Sequence, residues 1–152
     1  MTNNNILKFL QKITQLDGNQ IIEIFHLVDT NISDKRIQGY LKDKDNKDYL
    51  DCGAVALETF LDGLIIYKRG DSGKKKEQTK VKLTNNLILK KLRIAFDLKD
   101  ADMFAIFESV DIQITKTELA SLFRNENHKK FRYCPDSILE LFLEGLEVCE
   151  NG

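Results

Sequence analysis

The chain has 152 residues, 42% of them hydrophobic and 31% charged, with 23 Lys and Arg against 24 Asp and Glu for a formal charge of −1. One proline, no tryptophan and this apolar content exclude a disordered chain, and the length is enough to bury a core without disulfide staples. No stretch reaches the about 18 apolar residues of a membrane span, and Met1-Thr2-Asn3-Asn4-Asn5 lacks the basic start and apolar run of a signal peptide, so the expectation is a cytoplasmic protein with no membrane partner.

The chain writes one stretch twice. Leu57-Glu58-Thr59-Phe60-Leu61-Asp62-Gly63-Leu64 returns as Leu139-Glu140-Leu141-Phe142-Leu143-Glu144-Gly145-Leu146, displaced by 82 residues from Gly63 to Gly145. The same displacement relates Thr2-Asn3-Asn4 to Thr84-Asn85-Asn86 without a gap. A period sustained over that length marks a duplicated structural unit. Residues 1–69 form the first repeat and 83–152 the second, joined by a Gly- and Lys-rich segment, 70–82. From Lys68 to Lys82 there are seven cations and two carboxylates, a basic linker in a chain that is otherwise acidic.

In chain order, Ile6, Leu10 and Ile13 share one helical face, matched by Ile88, Leu92 and Ala95. Ile21, Ile24, Phe25 and Val28 follow at helical spacing, matched by Met103, Ile106, Phe107 and Val110. Asp17 is placed to cap this second helix with Gln20 as reciprocal partner; Asp100 is its counterpart, displaced by one residue. Ser33 and Thr115 cap the third helix. Ile32 and Ile37, like Ile114 and Leu119, are spaced as hydrophobic staples, and Thr115 with Glu118 forms a capping box. Polar loops, 42–51 and 124–133, lead into the fourth helix, where Leu57, Phe60, Leu61 and Leu64 match Leu139, Phe142, Leu143 and Leu146.

Gly63 and Gly145 fall inside that fourth helix, where glycine costs about 0.5–1 kcal/mol relative to alanine. Close helix approach at these positions offsets the cost. The two fourth helices, or each with a partner helix, are therefore expected to cross there, with Phe60 and Phe142 packing the repeats. The fold expected is all-α: two tandem four-helix repeats packed with pseudo-two-fold symmetry.

Few residues offer chemistry. Asp43-Lys44-Asp45-Asn46-Lys47-Asp48 begins like a calcium loop but has Lys47 where a ligand belongs, Asp48 where glycine belongs and Ala54 in the last ligand position. His26 and His128 do not correspond in the repeat and have no ligand partners at metal spacing. Neither a metal, a cofactor nor a catalytic residue is assigned. Cys52 and Cys134 do correspond, and Pro135 at a first helical position would set Cys134 beside a helix N-terminus, where a thiol is acidified. The stronger reading is a small buried side chain at the helix entry.

Helices two and three, 20–41 and 102–123, are spaced like a helix-turn-helix reader of DNA. Basic residues that could hold phosphate or another anion are Lys74, Lys75 and Lys76 in the linker and Arg124, Lys129, Lys130 and Arg132 in the second loop, the latter interleaved with Phe131 and Tyr133. Against this stands a sequence pI near 6.1. The first functional expectation is a non-enzymatic binding or adaptor protein that meets a protein partner through leftover apolar positions such as Phe9, Phe104 and Leu141. The alternative is a nucleic-acid-binding regulator using the helix-turn-helix-like units and the basic patches. Oligomeric state is not legible.

Thr84-Asn85-Asn86-Leu87-Ile88-Leu89-Lys90-Lys91-Leu92, Leu98-Lys99-Asp100, Thr115-Lys116-Thr117-Glu118-Leu119, His128-Lys129-Lys130-Phe131-Arg132-Tyr133-Cys134 and Phe142-Leu143-Glu144-Gly145-Leu146, with Gly63-Leu64-Ile65-Ile66-Tyr67-Lys68-Arg69-Gly70 before the linker, resemble the bacterial YehS-like proteins, domain of unknown function 1456. The resemblance implies a small bacterial cytosolic protein of two such repeats, with no established activity, cofactor or catalytic residue. The first copy departs further from the pattern, with Gly53 in place of Pro135 and Asp45 in place of His128, which directs attention to the second copy.

Overall fold

The computed structural model describes residues 1–70 and 82–152. Among the described residues there are eight helices and no strand: α1 (Asn3–Thr14), α2 (Gly18–His26), α3 (Asp34–Leu41), α4 (Ala54–Arg69), α5 (Asn85–Ala95), α6 (Asp100–Glu108), α7 (Lys116–Phe123) and α8 (Asp136–Asn151). The chain divides into two compact units, Met1–Leu83 and Thr84–Gly152. The basic linker reading, including Lys74, Lys75 and Lys76, lies outside the described residues.

In the first unit α2 packs on α3 and α4, and α1 on α3 and α4; in the second, α6 packs on α8, and α5 on α7 and α8. The apolar faces read from the sequence are the ones buried: Ile6, Leu10, Ile21, Ile24, Phe25, Leu57, Phe60 and Leu64 in one unit, Ile88, Leu92, Met103, Ile106, Phe107, Leu139, Phe142 and Leu146 in the other. Phe60 meets Phe25 at 6.1 Å between ring centroids, and Phe142 meets Phe107 at 5.7 Å. Val28 and Val110 lie beyond their helices. Asp29 and Asp111 turn left-handed there, with φ of 56° and 60°, and Thr30 N–H and Ile112 N–H close back on the carbonyls of Phe25 and Phe107.

The interior glycines serve contacts within each unit. A Cβ on Gly63 would overlap the carbonyl oxygen of Ile24 and stand 2.7 Å from its Cγ2; one on Gly145 would overlap the carbonyl oxygen of Ile106 and stand 2.9 Å from its Cγ2. Each fourth helix thus meets the backbone of its own second helix, the partner-helix form of the expected crossing.

Capping follows the sequence with two exceptions. Gln20 N–H donates to Asp17 and Asp17 N–H to the Gln20 side chain, a reciprocal box, and Thr115 with Glu118 forms another. Ser33 accepts from Arg36 N–H at 3.1 Å. At α6, however, Lys99 is the N-cap and Asp100 the first helical residue. A lysine side chain cannot accept, so Asp102 reaches back to Lys99 N–H at 2.8 Å. At α8, Pro135 is the N-cap in an extended conformation (φ −65°, ψ 156°) rather than the first helical residue.

Candidate functional site

The second unit holds a cleft of about 350 Å³ between α7 and the loop that follows it. Thr117, Glu118, Ser121 and Arg124 line one side, at the spacing that puts residues on one helical face. Lys129, Lys130, Phe131 and Arg132 line the other. Four cations named from the sequence as candidate phosphate or anion ligands, Arg124, Lys129, Lys130 and Arg132, line this one concavity. The carboxylate among them, Glu118, is committed to capping α7, and its pKa is lowered by the Thr115 backbone and hydroxyl bonds first and by the Arg132 guanidinium less.

The loop is held by its own bonds. Asn125 Oδ1 accepts from Asn127 N–H at 2.9 Å, an Asx turn, and His128 Nδ1 accepts from Lys130 N–H at 3.0 Å. In the first unit Asn46 Oδ1 takes the bond from Asp48 N–H at 2.9 Å. The structural equivalent of His128 is thus Asn46, not Asp45.

A buried asparagine fastens the loop to the helices. Asn86 donates through Nδ2 to the carbonyls of Leu122 (3.0 Å) and Arg132 (2.8 Å), and its Oδ1 accepts from Cys134 N–H (2.9 Å). Asn85 adds bonds to the Cys134 carbonyl and to Asp136. Arg132 N–H donates to the Ser121 carbonyl at 3.1 Å. Asn4 repeats the clamp in the first unit with Tyr40, Leu50 and Cys52. Sequence reasoning saw Asn4 and Asn86 only as marks of the repeat. An apolar helix face that twice places asparagine where a hydrophobic residue would pack was the available signal.

The duplication supplies an internal comparison. At the positions of Arg124, Lys129, Lys130 and Arg132 the first unit has Lys42, Lys47, Asp48 and Leu50, and Asp43 is paired with Lys8 at 2.7 Å. The Leu50 side chain lies against Gly39, 2.6 Å from where a Cβ would stand. Ser121 occupies the Gly39 position in the second unit, and Arg132 the Leu50 position. Where the first unit sets Leu50 against Gly39, the second has the polar Ser121 and the cationic Arg132 on the same clamp.

Aromatic rings flank the cations. Phe131 and Tyr133 meet edge to face, 4.8 Å between centroids and 82° between planes. The Tyr133 hydroxyl donates to Glu126 at 2.8 Å, which raises the phenol pKa, and the residue is 65% exposed.

The cysteines are placed otherwise. Cys52 and Cys134 are buried, and burial pushes each thiol up to about 11. Burial, joined at Cys134 by the Asp136 carboxylate, outweighs the lowering by the Leu139 backbone N–H, so neither thiol is acidified. Cys149 is exposed. Gly63, Gly145, Phe60 and Phe142 are core residues and take no part in the cleft. Phe9, Phe104 and Leu141, expected as exposed apolar positions, are half-buried. Among the described residues no group of three His, Cys, Asp or Glu could hold a metal ion, and no helix is long and apolar enough to cross a membrane.

Fold and cleft define the class: an all-helical protein of two tandem copies of one four-helix unit. The chain belongs to the family described as "Protein of unknown function (DUF1456)", whose profile matches residues 3–70 and 85–152. It is similar to "Uncharacterized protein YehS" of Escherichia coli (strain K12), 34% identical over 152 residues that cover 99% of this chain and 97% of that protein. No solved structure matches.

Proposed function

We propose that the protein is a non-enzymatic binding module whose second unit holds the phosphates of a nucleic acid among Arg124, Lys129, Lys130 and Arg132. The observation that carries this reading is the asymmetry between two copies of one scaffold. The first unit makes the same asparagine clamp and the same turns with Asp48 and Leu50 where the second has Lys130 and Arg132, so folding does not call for these two cations. Their convergence on one cleft is then a property of the second unit's surface.

The chain's formal charge of −1 does not oppose this. At physiological salt the Debye length is about 8 Å, so a phosphate in the cleft feels the local cations and little of the distant carboxylates. Guanidinium groups suit phosphate because their donors match two of its oxygens at once. An adaptor meeting a partner through Phe9, Phe104 and Leu141 has less support, since all three are half-buried.

The test is fluorescence anisotropy of a labelled oligonucleotide across a salt series, with wild type and the Lys129→Ala, Lys130→Ala, Arg132→Ala triple variant. Four phosphate contacts on a single strand give a log–log slope of about −3, so affinity falls about 50-fold between 50 and 200 mM salt. The triple variant should lose most of both affinity and slope. Binding that is indifferent to salt, or that the triple variant retains, refutes the reading.

A further inference from the structure

We infer that the cleft takes single-stranded nucleic acid, with a base stacked on the Tyr133 ring while the neighbouring phosphates lie among Arg132, Lys130 and Arg124. The inference rests on the nucleic-acid reading above and adds what part of the polymer is recognised besides phosphate.

Three observations carry it. Tyr133 is the residue after Arg132, which lines the cleft, so an aromatic ring and a phosphate-binding cation leave adjacent backbone positions. The residue is 65% exposed, yet it is not loose. The edge-to-face contact with Phe131, itself a cleft residue, and the hydroxyl bond to Glu126 fix it at both ends. A held, open aromatic face beside a cationic groove is the arrangement that binds unpaired bases, because every base has a π-face to offer.

The first unit shows that this pair is not a requirement of the fold. There Tyr49 and Asp51 occupy the positions of Phe131 and Tyr133, and the Tyr49 hydroxyl is tied to Asp51 at 2.8 Å. Lys130, Arg132 and the open Tyr133 ring thus occur together in the second unit, where the first has Asp48, Leu50 and Asp51, while Arg124 and Lys129 keep cationic counterparts in Lys42 and Lys47. A duplex is the less suitable occupant, because its bases are stacked inside and offer no face to Tyr133.

The test is competition against a labelled single-stranded oligonucleotide, with four probes: the unlabelled strand, its duplex, an abasic deoxyribose-phosphate oligomer of the same length, and inorganic polyphosphate. Wild type is compared with Tyr133→Leu and Tyr133→Phe, each checked for unchanged helicity by circular dichroism. For one stacked base, Tyr133→Leu should weaken the single strand by about 5- to 150-fold. It should leave the abasic oligomer unchanged, while Tyr133→Phe, which keeps the ring and loses only the hydroxyl bond to Glu126, weakens the strand less than Tyr133→Leu. The inference is overturned if wild type binds the abasic oligomer or the duplex as tightly as the single strand, or if Tyr133→Leu binds the strand normally. Those results leave phosphate binding intact. Failure of all four probes to compete at low salt removes the nucleic-acid reading itself, and this inference with it.

Discussion

Replacing Asn86 by alanine removes three hydrogen bonds at once: two donated to Leu122 and Arg132 carbonyls and one accepted from Cys134 N–H. At about 1 kcal/mol net each, the loss is about 3 kcal/mol. It rises toward about 5 kcal/mol because the Cys134 amide is left buried without a partner. For a unit of this size that corresponds to a drop in Tm of more than about 10 °C. Asn86→Asp separates the donors from the acceptor. Its carboxylate can still accept from Cys134 N–H, but it turns negative oxygen toward two carbonyls, so it should be no better than alanine near neutral pH. It should recover as pH falls through its raised pKa and the protonated acid donates again. Urea unfolding followed by circular dichroism measures all three, with Asn4→Ala as the matched change in the first unit. Asn86→Ala within about 1 kcal/mol of wild type would refute the clamp as the element that holds the loop. The same variant should also weaken oligonucleotide binding, since the Arg132 backbone is one of the points it frees.

Thiol chemistry and pH give two further expectations. With the Cys52 and Cys134 thiols at about 11, roughly one in ten thousand is ionised at pH 7, so a thiol reagent should label only Cys149 in the native protein and all three cysteines after denaturation; native labelling of two or three thiols at one rate would restore the reactive-cysteine reading. Glu118 has a lowered pKa, so its contribution to stability is fully present above the ordinary carboxylate range and is lost as pH falls through the lowered value. Glu118→Gln should abolish that part of the acid dependence while still accepting from Thr115 N–H, and should tighten oligonucleotide binding a few-fold by removing a negative charge from the cleft. Unchanged or weaker binding would mean that Glu118 is not within reach of the bound phosphates.

The helices were legible because their signals are local and occur twice. Ile21, Ile24 and Phe25 are set by period alone, and Ser33 and Thr115 by caps that need only neighbouring backbone. At α6 the cap stays in the register of the repeat, so Lys99 stands where Asp17 does, while Asp102 takes the free N–H and Asp100 pairs with Arg93. The cleft was half legible. Its cations could be listed, but their convergence depends on Asn86 joining residues 36 and 46 positions away, and no local pattern encodes that. The contrast between Gly39 with Leu50 and Ser121 with Arg132 was present in the aligned repeats. It acquires meaning only once those residues are known to touch.

The most direct measurement is an amide chemical-shift map of the whole protein titrated with a short single-stranded oligonucleotide. The account requires saturable shifts at Thr117, Ser121, Arg124 and residues 129–133, with residues 42–51 unchanged although they lie on the same scaffold. Equal shifts in the two loops, or shifts confined to residues outside both, would contradict the claim that the second unit alone carries the binding site.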